Sequence, residues 1–173
     1  DLPIATKGAI KFSNQAQFHP VKYAQGLVNS ILKTNQVSFY ENTKVVDVKQ
    51  GKEGYDIFVE KGKKVNAKYV VIASHYPIIN APGYYFLKMY QSLSYVIGVE
   101  TQKELFQGMY INSEKPTISF RTAKIGNNRL LLIGGMDHKT GEDIDLSSSY
   151  EKLIAIAKQI DPECNVVYKW CTE

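Results

Sequence analysis

The hydrophobic positions of this chain change period several times, and each change marks an element. From Pro20 to about Lys33, Val21, Ala24, Val28 and Ile31, joined by Leu27 and Leu32, recur at helical spacing, and Pro20 suits the first helical position. Residues 37–40 and 44–49 read as short strands divided by the turn-prone Glu41-Asn42-Thr43. Residues 55–60 alternate Tyr55, Ile57 and Val59 against Asp56, Phe58 and Glu60, the period-two pattern of a half-exposed strand. Residues 69–73 (YVVIA) show no polar alternation, which predicts a strand buried on both faces, as in a parallel sheet covered by helices. It ends at Ser74-His75-Tyr76-Pro77, and ligands of open α/β sheets sit beyond such carboxyl ends.

Beyond Pro77 the rhythm becomes that of antiparallel strands. Residues 92–100 (SLSYVIGVE) alternate, and residues 109–112, 117–121 and 129–134 follow at hairpin intervals. Turns are expected at residues 81–83, 113–116 and 126–128, and a polar loop at residues 134–141. Tyr150, Leu153, Ile154, Ala157 and Ile160 predict a helix, opened by a capping box of Ser148 and Glu151 and stopped by Pro162. A last strand spans residues 165–170, with Trp170 expected in the core. Near the start, residues 8–12 form another strand candidate, and Ser13, Gln15, Gln17 and His19 make a polar stripe after it. The class is α+β: an antiparallel sheet with a covering helix, plus a helix, a small meander and a buried strand.

Composition narrows the function. The chain has 173 residues, 44% hydrophobic and 22% charged, ordinary for a globular protein with a real core. The net charge of +4 comes from scattered lysines, and Arg121 and Arg129 are the only arginines, which argues against a nucleic-acid interface. No apolar run approaches the roughly 18 residues of a membrane span. Cys164 and Cys171 fit no metal spacing and read as reduced thiols, hence a cytoplasmic setting. No G-x-G-x-x-G or P-loop occurs.

Candidate chemistry is sparse. His19, His75 and His138 lack neighbouring Cys or carboxylate at ligand spacing, so no metal site is expected. Adjacent Ser74 and His75 would point apart and make no nucleophile pair. Arg121, at a strand end, is the group best able to grip a carboxylate with paired hydrogen bonds, against the plainer reading of a surface arginine. Tyr84, Tyr85, Tyr90, Tyr95 and Tyr110 either wall a cavity or form an aromatic core. Two other classes stay open: a stand-alone, non-enzymatic protein-binding module using the Tyr-rich sheet, and a hydrolase or transferase, which requires His19, His75 and Asp137 to converge.

The order of motifs carries a resemblance: Q-x-Q-x-H-P-x-K-Y-x-x-G-L (residues 15–27), a small meander, KYVVIASHYP, SYVIGVE, Ser119-Phe120-Arg121, LLLIGGMDHKTG, a helix, and Tyr168-Lys169-Trp170. It resembles FAD-dependent oxidoreductases of the D-amino-acid-oxidase type, in the branch often fused to a carboxyl-terminal Rieske [2Fe-2S] domain. The resemblance implies a discontinuous substrate-binding domain from residues 1–19 and 76–173, and a partial FAD-binding domain from residues 20–75 without the G-x-G-x-x-G unit. It implies Val45, Val46, Ala73, Ser74 and His75 beside FAD, and Arg121, His138 and Tyr95 beside an amine or amino-acid-like substrate. It also implies that the chain is an internal piece of a longer enzyme, inactive by itself and not retaining FAD, whose partners are the rest of the FAD domain and a Rieske domain.

Overall fold

The computed structural model describes residues 4–79, 83–142 and 145–173. The chain divides into two compact units, one of Ala16–Met89 and one joining the described residues through Gln15 to Tyr90–Glu173.

The Ala16–Met89 unit holds helix α1 (Pro20–Leu32) and a meander of β1 (Val45–Gly51), β2 (Gly54–Val59) and β3 (Lys64–Ala67). Helix α1 starts where Pro20 allows, and the His19 ring accepts the Lys22 N–H at 3.3 Å as its cap. No residue of α1 is buried, and among the described residues its apolar stripe is only partly covered. The meander is antiparallel, with Ile57 facing Val48 on one side and Val65 on the other.

Three strand expectations fail here and in the chain's first residues. Residues 8–12, 37–40 and 69–73 belong to no strand, and Tyr69 and Val71 are 77% and 88% exposed. The reason is shared: a strand exists only where a neighbour takes up its N–H and C=O groups. An apolar run makes a segment competent to pair; it does not supply the partner. The turn expected at residues 81–83 falls largely outside the described residues, with only Gly83 inside them.

In the second unit, β4 (Ser92–Glu100), β5 (Met109–Ile111), β6 (Ile118–Ile125), β7 (Asn128–Lys139) and β8 (Asn165–Thr172) form one antiparallel sheet in the order β5-β6-β7-β4-β8. Helix α2 (Leu146–Ile160) covers one face. Alternation puts Tyr95, Ile97 and Val99 of β4, Leu131 and Ile133 of β7, and Ile118 and Phe120 of β6 on that face, against Leu153 and Ala157 of α2. Burying side chains of this size stabilises by about 1.5–3 kcal/mol each, which makes this layer the main store of stability.

Two local expectations change. The helix begins at Leu146, one turn before the expected capping box, because Asp145 accepts the Ser147 N–H at 3.0 Å; Ser148 therefore lies inside the first turn. The polar loop expected at residues 134–141 is strand as far as Lys139. Its two glycines fit a β-bulge: Tyr95 pairs with Gly135 and Leu93 with His138, so β7 spends one residue more than β4. At its far end α2 stops at Asp161, whose carboxylate accepts from Thr101, while the Lys103 ammonium donates to the Ile160 carbonyl.

Candidate functional site

The two faces of the five-stranded sheet carry different chemistry. On the helix-covered face, Tyr95 is 1% exposed and its hydroxyl lies 2.7 Å from Nε2 of His138. The two rings stack at 5.6 Å with an interplanar angle of 20°, and Tyr150 of α2 meets Tyr95 edge-on at 5.1 Å. His138 Nδ1 lies 3.0 Å from the Lys139 carbonyl, which only accepts. Nδ1 therefore carries the proton, and Nε2 receives the Tyr95 hydroxyl hydrogen. Burial pushes the Tyr95 phenol above its ordinary pKa, with Cys171 on the neighbouring strand adding to the shift. Tyr150 is raised the same way, by burial first and then by Cys171. Both phenols are held neutral, as members of a packed and hydrogen-bonded layer.

The bulge makes this pairing. Counting by twos from Gly135 would send His138 to the opposite face, and the extra residue reverses the parity. Gly135 sits at φ +149°, and a Cβ there would fall 2.0 Å from the Thr117 carbonyl oxygen, so only glycine fits.

The far face, away from α2, reads as two rows across all five strands. One row runs Met109, Arg121, Leu132, Gly98, Tyr168, and the next Ile111, Ser119, Gly134, Val96, Trp170. The middle of each row is closely covered: a Cβ on Gly98 would fall 3.2 Å from Tyr168 and 3.5 Å from Leu132, one on Gly134 3.2 Å from Ser119 and 3.4 Å from Val96, and Val96, Gly98 and Gly134 are buried. The edges are large and exposed, with Met109 and Ile111 on one side and Tyr168 and Trp170 on the other. The result is a surface with a packed middle and large exposed side chains along both edges, aromatic on the β8 side. Arg121 is exposed in it and has no ion pair among the described residues. Beyond the second row, the Ser94 hydroxyl donates to Asp137, which carries a carboxylate onto the same face.

The three residues expected around a substrate are thus divided. Tyr95 and His138 meet under α2, and Arg121 lies on the opposite face, because it follows Phe120 in an unbroken strand. Trp170, expected in the core, is an exposed rim residue, and of the expected tyrosine cluster only Tyr95 is fully buried. Ser94, Gly98, Gly134 and Tyr168 went unnoticed in the sequence. The alternation of residues 92–100 contained the signal for two of them, since Ser94 and Gly98 must oppose Tyr95.

The five residues expected near a cofactor lie in the other unit. Val45 begins β1 opposite Val59, and Val46 is exposed at a register shift. Ala73, Ser74 and His75 are exposed, with His75 at φ +63°. The Ser74 hydroxyl already donates to the Tyr76 carbonyl at 2.7 Å, and no helix starts at this turn. A diphosphate is ordinarily held by free backbone N–H groups at a helix start, so the residues present do not by themselves fit the diphosphate of FAD. Among the described residues there is also no group of three His, Cys, Asp or Glu able to hold a metal. His19 is spent as the α1 cap, and Asp137 as the partner of Ser94.

These elements make the chain an α+β protein whose five-stranded antiparallel sheet is covered on one face by a helix. Comparison makes this particular. The family model of FAD dependent oxidoreductases, the DAO family, matches residues 2–172, and the chain belongs to that family. A Bacillus subtilis (strain 168) protein named as a putative Rieske 2Fe-2S iron-sulfur protein, YhfW, is 30% identical over 172 residues, covering 99% of this chain and 33% of the relative. Among solved structures, the halogenase PltM aligns with a TM-score of 0.55 at 12% identity, over 85% of this chain and 35% of its own. The same halogenase in complex with ethyl mercury and mercury aligns with a TM-score of 0.55 at 11% identity, over 86% and 35%. The halogenase likeness concerns the fold alone. The chain spans about a third of the length of each of these proteins. No helix among the described residues is long and apolar enough to cross a membrane.

Proposed function

We propose that this chain is the substrate-binding part of a longer FAD-dependent oxidoreductase that oxidises an amine or amino-acid-like substrate. Residues 1–19 and 76–173 form its substrate-binding domain and residues 20–75 a portion of its FAD-binding domain. The observation that carries the reading is the family match over residues 2–172, and the exposed Arg121, without an ion pair among the described residues, suits a substrate acid. The chemistry supplied by bound flavin is acceptance of a hydride; residues of this chain bind, orient and exclude water. Tyr95 and His138 lie on the helix-covered face, where their hydrogen bond fixes the end of β7. Val45, Val46 and the Ala73-Ser74-His75 turn approach the cofactor only when the rest of its domain is present. The name of the Bacillus relative supports a Rieske centre elsewhere in the complete polypeptide, and a cytoplasmic setting belongs to the same reading.

The test is the visible spectrum of the complete polypeptide beside that of this chain. Flavin bands in the complete protein, and none in the chain alone after addition of FAD, are expected. A colourless complete protein that takes up no FAD overturns the reading.

A further inference from the structure

Positive charge and exposed apolar surface coincide in the last part of the Ala16–Met89 unit. Residues 61–89 hold five lysines and no Asp or Glu, so this stretch carries +5 where the whole chain carries +4. Within it every residue from Tyr84 to Met89 is exposed, Leu87 at 73%. Five of these six side chains are aromatic or aliphatic, and the sixth is Lys88, which has no ion pair among the described residues. The run is folded around a 3₁₀ turn, Tyr85–Leu87. The Tyr84 carbonyl accepts the Leu87 N–H at 3.0 Å, and the Tyr85 carbonyl accepts the Lys88 N–H at 2.9 Å. Those backbone donors are thus already paired, as an apolar medium demands. Gly83 makes the turn compact, since a Cβ there would fall 2.9 Å from Cε2 of Tyr85. Tyr84 and Phe86 meet edge-on at 6.3 Å, which groups the aromatic rings just before Lys88.

We propose that the Tyr84–Met89 turn is a peripheral attachment site for an anionic lipid surface. Tyrosine and lysine suit the headgroup layer, where an apolar body is buried and a polar tip stays wet. Phe86 and Leu87 suit the acyl boundary just beneath it. The charge decides the occupant. A stretch with five lysines and no carboxylate favours a partner dense in negative charge, and a fluid one needs no fitted groove. Nucleic acid is equally anionic, but Leu87 and Met89 gain nothing from a phosphate backbone. The turn is short, so the contact is attachment at the surface and not a span.

The test is co-sedimentation of the complete polypeptide with vesicles of phosphatidylcholine alone, or of phosphatidylcholine and phosphatidylglycerol in equal parts. Binding is expected to the anionic vesicles and to weaken as salt is raised. Leu87→Ser should weaken it about tenfold or more, from the apolar surface withdrawn. Lys88→Ala should weaken it about fivefold, the share of one lysine near an anionic surface. Lys124→Ala removes the same charge from an exposed site on β6 and should leave binding unchanged. All three positions are exposed, and circular dichroism checks that each variant folds as the parent does. Failure of the complete polypeptide to bind anionic vesicles overturns the proposal and leaves the turn to be covered by the rest of that polypeptide. Equal losses in Lys88→Ala and Lys124→Ala, or full binding by Leu87→Ser, overturn it in favour of diffuse charge attraction. Displacement from the vesicles by single-stranded RNA at equal phosphate overturns it in favour of nucleic acid.

Discussion

Replacing Gly135 by alanine tests the bulge on which the layout of both sheet faces depends. The added Cβ would lie 2.0 Å from the Thr117 carbonyl oxygen and 3.0 Å from Ile118 Cδ1, at a φ of +149°. Holding an L residue in so sparse a backbone region costs about 1–3 kcal/mol. A backbone oxygen cannot swing aside as a side chain can, so relief requires opening the Ile118–Gly135 end of the β6–β7 ladder. One or two hydrogen bonds lost there add about 1 kcal/mol each. The expected total is about 2–5 kcal/mol, a large part of a typical 5–15 kcal/mol stability. Urea unfolding followed by Trp170, the only tryptophan in this chain, reports on the same sheet. With a slope of about 1–3 kcal/mol per molar urea, the midpoint should fall by about 0.7 molar or more. Gly126→Ala is the control: its φ is +59°, nothing lies within 4 Å of the new Cβ, and it should cost only about 1–2 kcal/mol. Equal losses in the two variants would refute the argument that close approach, rather than positive φ alone, makes position 135 a glycine.

Two further outcomes follow from the covered face and its edge. Tyr95→Phe leaves the ring in place but strips His138 Nε2 of its donor, so stability should drop by about 1 kcal/mol, with a change in the His138 imidazole resonances by NMR. An unchanged His138 signal would show that the ring does not take its tautomer from this bond. Asp161 is held below the ordinary carboxylate pKa, chiefly by the hydrogen bond from Thr101. Its contribution is present above the unfolded value of about 3.9 and is lost as pH falls through the lower folded value. Urea midpoints should therefore decline on acidification below about pH 4, and less steeply in Asp161→Asn; parallel profiles would discard the linkage.

The alternation of residues 92–100 predicted β4 to the residue, although its burial runs unbroken from Tyr95 to Val99 instead of alternating. Pro20 and the period of Val21–Ile31 likewise determined where α1 starts, and the overall α+β class followed from these local rhythms. Partnership was not legible in the same way. The run at residues 69–73 has the composition of a buried strand, yet pairing is a property of two segments and no single segment encodes it. Nor could the sequence say which face His138 would join. A single extra residue at Gly135-Met136 reverses every later side chain of β7, and only the register against β4 reveals it. Tertiary structure therefore decided that Tyr95 and His138 lie beneath the sheet while Arg121 and Asp137 share its far face. Side-chain type is written in the chain, but the face a side chain occupies depends on hydrogen-bond register between strands distant in sequence.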